Sequence, residues 1–403
     1  MKFFVTILIS ALTISAGATT TLQFPTFQPK PTHCLFFTID GLDPAYITPE
    51  HTPTLYQCMQ AGVALPSALN VYPTLTTPNM TSILTGALPI HTTIGSNQVY
   101  LEDERKVVAA PRFNKATTIA EAFKQGGHST AAVQHFMLEN RGADRYQHTG
   151  TKDSRDVTTT ALAMLSDPAN IPTFMAVLYQ TVDGTGHSFG VNSDQVRAEA
   201  RLVDGEIAKI LNRYRELDLL QHTLIIFSAD HGMSPPEKSV DQKTLNTAIT
   251  SNGWSYQLLQ NPRTRPQPDV DLYVMPYANL QCWFNRPFSP EEQHKLFATL
   301  RAVEGVGALH DTITLRRMGA HPNAGHFIVE PAHGWRFGTG IGTHGRNRES
   351  YGHQALLGAG VKSGVTVPDA RTIDLMPTVL KAFNLPQPPT TDGKPLDAAL
   401  IAP

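Results

Sequence analysis

Short apolar runs alternate with amphipathic segments along most of the chain. Runs at residues 34–39, 129–133, 173–179 and 223–227 predict buried strands, and the 3.6-residue periodicity at 118–125, 156–165, 195–217 and 375–383 predicts helices, the last capped by Asp374. Such alternation favours an α/β fold, with a mainly parallel central sheet flanked by helices.

The pattern loosens after Ser234-Pro235-Pro236. Residues 237–335 mix Pro and Gln with short strand-like runs at 270–274 and 326–329, which predicts a small inserted α+β cap subdomain. The catalytic core then comprises residues 19–236 and 336–403.

The first 18 residues resemble an export signal. Lys2 precedes an apolar run over residues 3–14, and Ala16-Gly17-Ala18 provides small residues for cleavage. We therefore expect an exported protein, periplasmic or secreted, with a retained anchor as the alternative; no later run is long and apolar enough to span a bilayer.

Composition indicates an enzyme-sized globular protein of 403 residues with a formal net charge of −2. This balance predicts neither a nucleic-acid-binding surface nor a charge-rich disordered tail. The three cysteines, Cys34, Cys58 and Cys282, are too few for a disulfide framework and allow at most one pair.

Residues 72–86 are rich in hydroxyl groups and contain a predicted helix start at Pro78. An oxygen held there would face backbone N–H groups and the positive end of the helix dipole, which stabilise an alkoxide and attract a phosphoryl group. Thr76 or Thr77 is therefore a candidate nucleophile, although a Thr at this place is more often a simple cap.

Acidic and imidazole side chains follow three predicted strands, where ligands collect in open α/β sheets. Each residue alone is more often a turn former or a surface residue. Together they are the ligand types that zinc prefers, and they predict a metal site at one sheet edge formed by Asp40, Asp183, His187, Asp230, His231 and the distant His344.

The order Asp, Thr-x-Pro-Asn, Asp-x-x-x-His, Asp-His-Gly-Met and Gly-x-His-Gly resembles the alkaline phosphatase superfamily, in particular its nucleotide pyrophosphatase/phosphodiesterase family. The resemblance implies that this fold holds two Zn²⁺ ions. One would be bound by Asp183, His187 and His344, and the other by Asp40, Asp230 and His231. It also selects Thr76 as the nucleophile bridging toward the second zinc ion, and implies that Asn97 holds a phosphoryl oxygen.

The implied activity is hydrolysis of phosphodiester or pyrophosphate bonds in a small phosphorylated substrate through a phospho-threonine intermediate. Two zinc ions, three aspartates and an alkoxide nearly cancel in charge, and Arg346 is the only basic residue inside the matched motifs. A monoanionic diester therefore fits better than a dianionic monoester.

The sequence also departs from the family pattern. The residue after the nucleophile is Thr77 rather than a base-stacking Phe, and the residue before it is Leu75 rather than Lys. A stacking surface would have to come from Tyr100, Tyr146, Trp254 or Trp283, each of which is more typical of packing. A phosphonoacetate-type phosphonate hydrolase, a phosphomonoesterase and a non-catalytic metal- or phosphate-binding relative therefore stay as alternatives, and the oligomeric state stays open.

Overall fold

The computed structural model describes residues 23–110, 114–346 and 351–402. The predicted signal peptide, residues 1–18, lies outside the described residues. The strands, in chain order, are β1 (His33–Ile39), β2 (Val63–Leu69), β3 (Gln98–Leu101), β4 (Lys106–Ala109), β5 (Thr130–Val133), β6 (Arg145–Gln147), β7 (Phe174–Tyr179), β8 (Thr223–Ala229), β9 (Lys238–Ser239), β10 (Tyr256–Leu258), β11 (Leu272–Pro276), β12 (Leu280–Phe284), β13 (Val306–Asp311), β14 (Phe327–Pro331), β15 (Trp335–Arg336), β16 (Tyr351–Gly358) and β17 (Val365–Thr366).

Helices lie between these strands and on both sides of the main sheet. They are α1 (Pro53–Ala61), α2 (Thr76–Thr85), α3 (Pro89–Thr92), α4 (Ile119–Gln125), α5 (Ser154–Met164), α6 (Thr181–Phe189), α7 (Asp194–Glu216), α8 (Gln242–Thr250), α9 (Pro290–Arg301), α10 (Thr312–Arg317) and α11 (Leu375–Ala382). Within the described ranges, none of them combines the length and apolar character needed to cross a bilayer.

The main sheet has eight strands in the order β17-β2-β16-β8-β1-β7-β5-β6. The run from β8 to β6 is parallel, and β16 pairs antiparallel with both of its neighbours. The predicted α/β class with a mainly parallel sheet is therefore confirmed. The antiparallel strand β16 was not predicted from the apolar pattern.

Both faces of this sheet are buried, as parallel sheets require. In β1, Cys34 and Phe36 pack with α2, α4 and α11, whereas Leu35, Phe37 and Ile39 pack with α1, α5 and α7. These two layers of helices leave the carboxyl ends of the central strands as the accessible edge.

A second, five-stranded sheet of order β10-β11-β12-β14-β13 lies entirely within residues 237–335. It has its own apolar core, which includes Trp254, Leu280, Leu296 and Phe327. The β3–β4 hairpin joins it to the main body, since Tyr100 packs against Tyr273 and Trp283. That this insertion acts as a cap stays a prediction.

The structure differs from the sequence prediction in local details. Helix α2 begins at Thr76 rather than Pro78, and Asp374 makes no side-chain cap bond to α11. The residues between β7 and α7 form a helix, α6, which the apolar pattern did not predict. All three cysteines are buried free thiols, so the single disulfide that the sequence allowed is not formed.

Candidate active site

Three neighbouring strands, β7, β1 and β8, deliver three carboxylates to one edge of the main sheet. Asp40 and Asp230 directly follow β1 and β8, and Asp183 lies in the first turn of α6. The Asp183 N–H donates to the Asp40 carbonyl (3.0 Å), and the Gly41 N–H donates to Asp230 Oδ1 (3.1 Å). Backbone hydrogen bonds therefore hold the three acids together.

Gly41 permits this close approach. Its φ is +71°, and a Cβ added there would lie 2.8 Å from the Cα of Asp183. Only a residue without a side chain takes this backbone conformation in this space without strain.

Three histidines complete the cluster. His231 follows Asp230, and His187 lies one helical turn after Asp183. His344 is brought in by a bridge between Ser234 and Thr343, and its ring stacks on that of His231 with centroids 3.5 Å apart. The six predicted ligands, from four separate stretches of sequence, therefore lie side by side.

Each of these histidines directs the same ring nitrogen toward the protein backbone. A carbonyl oxygen can only accept, so Nδ1 is the donor and Nε2 keeps its lone pair. The Nδ1 partners are the carbonyls of Gly342 for His187 (2.9 Å), Gly232 for His231 (3.1 Å) and Thr74 for His344 (3.0 Å). Backbone carbonyls commonly orient metal-binding histidines in this way.

The Nε2 atoms face the carboxylates. His231 Nε2 lies 3.5 Å from Asp40 Oδ1 and 3.4 Å from Asp230 Oδ2. Asp183 Oδ1 lies 3.3 Å from His187 Nε2 and 3.6 Å from His344 Nε2. The histidine Nε2 atoms and the carboxylate oxygens are therefore close enough to bind the same ion.

Among the described residues, two overlapping groups have the spacing of a metal site. Asp40, Asp230 and His231 form one, and Asp183, His231 and His344 form the other, with ligand atoms within 4.8 Å of one another. The first group is the predicted second set. The second group contains His231 where the sequence predicted His187. His187 lies beside this group and contacts Asp183.

The chemistry of the donor set fits a cation. Asp40 Oδ1, Asp183 Oδ1 and Asp230 Oδ2 are buried and accept no hydrogen bond from the described residues. Buried carboxylate oxygens without a partner are costly. A divalent ion bound by these oxygens and by the histidine Nε2 atoms would remove that cost.

The pKa values of the acids reflect the same crowding. Burial raises the pKa of Asp40, and the charges of Asp230 and Asp183 raise it further. Burial, with the charge of Asp183, raises the pKa of Asp230 to about 8. Burial also opposes ionisation of Asp183, but the adjacent His187 ring, with His344 and His231, outweighs burial and lowers the pKa of Asp183.

The hydroxyl of Thr76 lies beside this cluster. Its Oγ1 is 3.2 Å from His231 Nε2, and the residue is partly exposed at the first position of α2. Thr77 is 5% exposed, so its side chain is much less accessible than that of Thr76. The Thr77 N–H donates to Asn97 Oδ1 (2.9 Å), which leaves the Asn97 Nδ2 as the atom of that side chain that can donate.

Arg346 and the aromatic candidates for base stacking make structural contacts. Arg346 is buried and directs its guanidinium to the carbonyls of Ala332 (3.3 Å) and Trp335 (3.4 Å). Of the aromatic candidates, Tyr100, Trp254 and Trp283 are buried in apolar clusters, and Tyr146 is partly buried against the main core. The three fully packed rings therefore offer no open surface for a base.

The sequence reasoning missed two basic residues near the site. His135 is fully buried after β5, with its Nε2 3.1 Å from Thr38 Oγ1, and burial lowers its pKa to about 3. Lys152 lies on an exposed loop, and its charge acts on Asp40 by lowering that pKa. His135 could have been recognised as a residue near the site, because it follows the carboxyl end of strand β5. No feature of the sequence predicts that Lys152 lies near Asp40.

Comparison with known proteins gives a family match. The family described as Type I phosphodiesterase / nucleotide pyrophosphatase matches residues 34–355. Among curated proteins, ectonucleotide pyrophosphatase/phosphodiesterase family member 1 from Homo sapiens is 25% identical over 394 residues, covering 90% of this chain and 41% of that protein. Bis(5'-adenosyl)-triphosphatase enpp4 from Xenopus laevis is 24% identical over 247 residues, covering 58% of this chain and 53% of that protein. The chain thus spans about half the length of these relatives, or less.

Solved structures share the fold. Human ectonucleotide pyrophosphatase/phosphodiesterase 5 superposes with a TM-score of 0.74 at 15% identity, covering 92% of this chain and 100% of that chain. An inactive form of the murine protein, solved in complex with AMP, gives a TM-score of 0.73 at 16% identity and the same coverage. At these identities the likeness concerns the fold alone.

Proposed function

Because this chain belongs to the type I phosphodiesterase/nucleotide pyrophosphatase family, we propose that it hydrolyses phosphodiester or pyrophosphate bonds with Thr76 as nucleophile and two bound zinc ions. The observation that carries the proposal is the convergence of six ligand side chains beside the Thr76 hydroxyl. We also propose that the protein is exported, on the pattern of residues 1–18.

Asp183, His187 and His344 would hold one ion, and Asp40, Asp230 and His231 would hold the other. Zinc bound there would act as a Lewis acid that stabilises the negative charge developing on the reacting oxygens. The histidine orientation described above favours this role, since each Nε2 is free of its proton in the neutral ring.

Thr76, Asn97 and α2 supply the protein's part of the reaction. The Thr76 hydroxyl loses its proton to solvent, and Oγ1 forms a bond to phosphorus as the bond to the leaving-group oxygen breaks, which gives phospho-threonine. The departing oxygen takes a proton from solvent. Asn97 Nδ2 donates to a non-bridging oxygen, and the start of α2 presents the positive end of its dipole. Water then attacks phosphorus as the bond to Oγ1 breaks; one water proton passes to Thr76 Oγ1, and the remaining hydroxyl leaves as part of the phosphate product.

Charge supports a diester or pyrophosphate as substrate. The Arg346 guanidinium donates hydrogen bonds to backbone carbonyls. The matched motifs therefore offer no basic side chain for the extra negative charge of a monoester. Lys152 is the basic residue whose charge acts on Asp40 from an exposed loop. A substrate with a single negative charge at the reacting phosphorus fits this balance.

The test is a substrate panel of bis(p-nitrophenyl) phosphate, p-nitrophenyl phosphate and phosphonoacetate, with metal content measured on the same samples. We expect the diester to be hydrolysed fastest. Faster turnover of the phosphonate or the monoester would replace the proposal with one of those activities, and no turnover by zinc-loaded protein would leave a binding role.

Replacing the nucleophile separates Thr76 from Thr77. Thr76→Ala should keep both metals and lose at least about 1000-fold in kcat, because no other hydroxyl takes its place. Thr77→Ala is the matched control and should keep most of the activity. Loss of activity in Thr77→Ala alone would assign the nucleophile to Thr77.

A further inference from the structure

A hairpin turn of the inserted sheet contacts the segment that carries the candidate metal ligand His344. Between β11 and β12, Asn279 is fully buried, and its Nδ2 donates to the carbonyl of Gly345 at 2.7 Å. Gly345 directly follows His344. A residue of the insertion therefore holds the backbone of the segment that carries a candidate metal ligand.

This segment is enclosed from two sides. Gly345 has a φ of +108°, and a Cβ added there would lie 3.0 Å from Leu75 Cδ2 and 3.1 Å from Ala278 Cβ. On the Leu75 side, the Thr74 carbonyl accepts from His344 Nδ1, and Thr74 Oγ1 donates to the Arg346 carbonyl (2.9 Å). The ligand segment thus lies between the loop of the nucleophile and the hairpin of the insertion.

The chemistry of Asn279 indicates more than packing. Its Oδ1 is buried and accepts no hydrogen bond within the part of the chain that the structure describes. An unsatisfied buried amide oxygen destabilises the fold, so an apolar side chain of similar volume would pack there at lower cost. What the amide alone provides is the bond to Gly345.

We propose that Asn279 is a positioning residue of the metal centre. By fixing the Gly345 carbonyl, it keeps His344 Nε2 directed at Asp183, and so the insertion sets the metal affinity at this end of the site. This inference rests on the proposed two-metal site. Groups that orient metal ligands typically contribute about 10- to 100-fold to metal affinity.

The experiment compares zinc binding by calorimetry, and bound zinc by elemental analysis, in wild type and variants. Asn279→Ala should weaken one of two zinc sites by about 10- to 100-fold and leave the other unchanged. Asn279→Leu, which keeps the volume and removes the donor, should behave the same way and guards against loss of folding through a cavity.

Asn285→Ala is the matched control. Asn285 lies at the other end of the same hairpin, and its Nδ2 donates to the carbonyls of Pro268 (2.9 Å) and Val270 (2.7 Å). It should lower thermal stability without changing zinc affinity. Unchanged zinc binding in folded Asn279→Leu, or an equal loss in Asn285→Ala, would overturn the inference. Absence of zinc binding in wild type would instead overturn the proposed function together with it.

Discussion

Gly41 is the residue on which the convergence of the three carboxylates depends most. Its N–H binds Asp230, and the space of its missing side chain is occupied by the backbone of Asp183. A single backbone position therefore sets how closely the acids after β1, β7 and β8 approach.

Gly41→Ala should destabilise the protein and lower zinc affinity. The positive φ costs about 1 kcal/mol for alanine, and the contact at 2.8 Å would displace Asp183 at further cost. Gly127→Ala is the control, since Gly127 has a similar φ of +79° with nothing within 4 Å of the added Cβ. Urea unfolding and zinc titration measure both effects; equal losses in the two variants would contradict this account of Gly41.

Helix α6 is a segment of poor helix propensity that carries two candidate ligands. It contains Gly184 and Gly186, yet it places Asp183 and His187 on one face at i and i+4. A Cβ at Gly186 would lie 2.4 Å from Met233 Sδ, so the buried Met233 side chain would have to shift, whereas Gly184 faces open space.

These two glycines should respond oppositely to alanine. Gly184→Ala should stabilise the protein by about 0.5–1 kcal/mol, because it removes backbone freedom from the unfolded chain and raises helix propensity. Gly186→Ala should destabilise it and weaken metal binding, because the buried Met233 side chain would have to repack against α6. Thermal unfolding of the pair provides the measurement, and a stabilised Gly186→Ala variant would refute the packing argument.

The elements that the sequence predicted well are those with a strong apolar period, such as β1, β7, β8 and α7. Helix α6 was missed because its glycines and threonines carry no helical pattern, and the surrounding fold overrides that weak propensity. The six candidate ligands could be predicted because their types and order are informative. The contacts of Asn279 and Lys152 could not, since each arises from tertiary proximity alone.

Without a metal ion, the whole protein contains three largely buried carboxyl groups that lie close together. Its free energy of unfolding should therefore depend on pH. His231 and His135, whose pKa values are lowered in the folded state, are neutral in the folded chain, and in the unfolded chain they become mostly neutral as pH rises above about 7. Asp40, Asp230 and His187 have raised pKa values, so the folded chain binds more protons there than the unfolded chain.

Stability of the metal-free protein should therefore fall as pH rises from about 6.5 to about 8, by about 1–2 kcal/mol. Zinc favours the ionised carboxylates and should abolish this fall. Thermal unfolding across this pH range, with a chelator and with zinc, checks the sign. A metal-free protein that gains stability over this range would show that the acids are not crowded as described.

The central claim is that six distant side chains seat two metal ions beside the Thr76 hydroxyl. The most direct test is anomalous X-ray scattering at the zinc edge from crystals of the zinc-loaded protein. We expect two peaks, one among Asp40, Asp230 and His231, and one beside Asp183, His187 and His344. Zinc bound elsewhere, or no peak within this cluster, would contradict the claim.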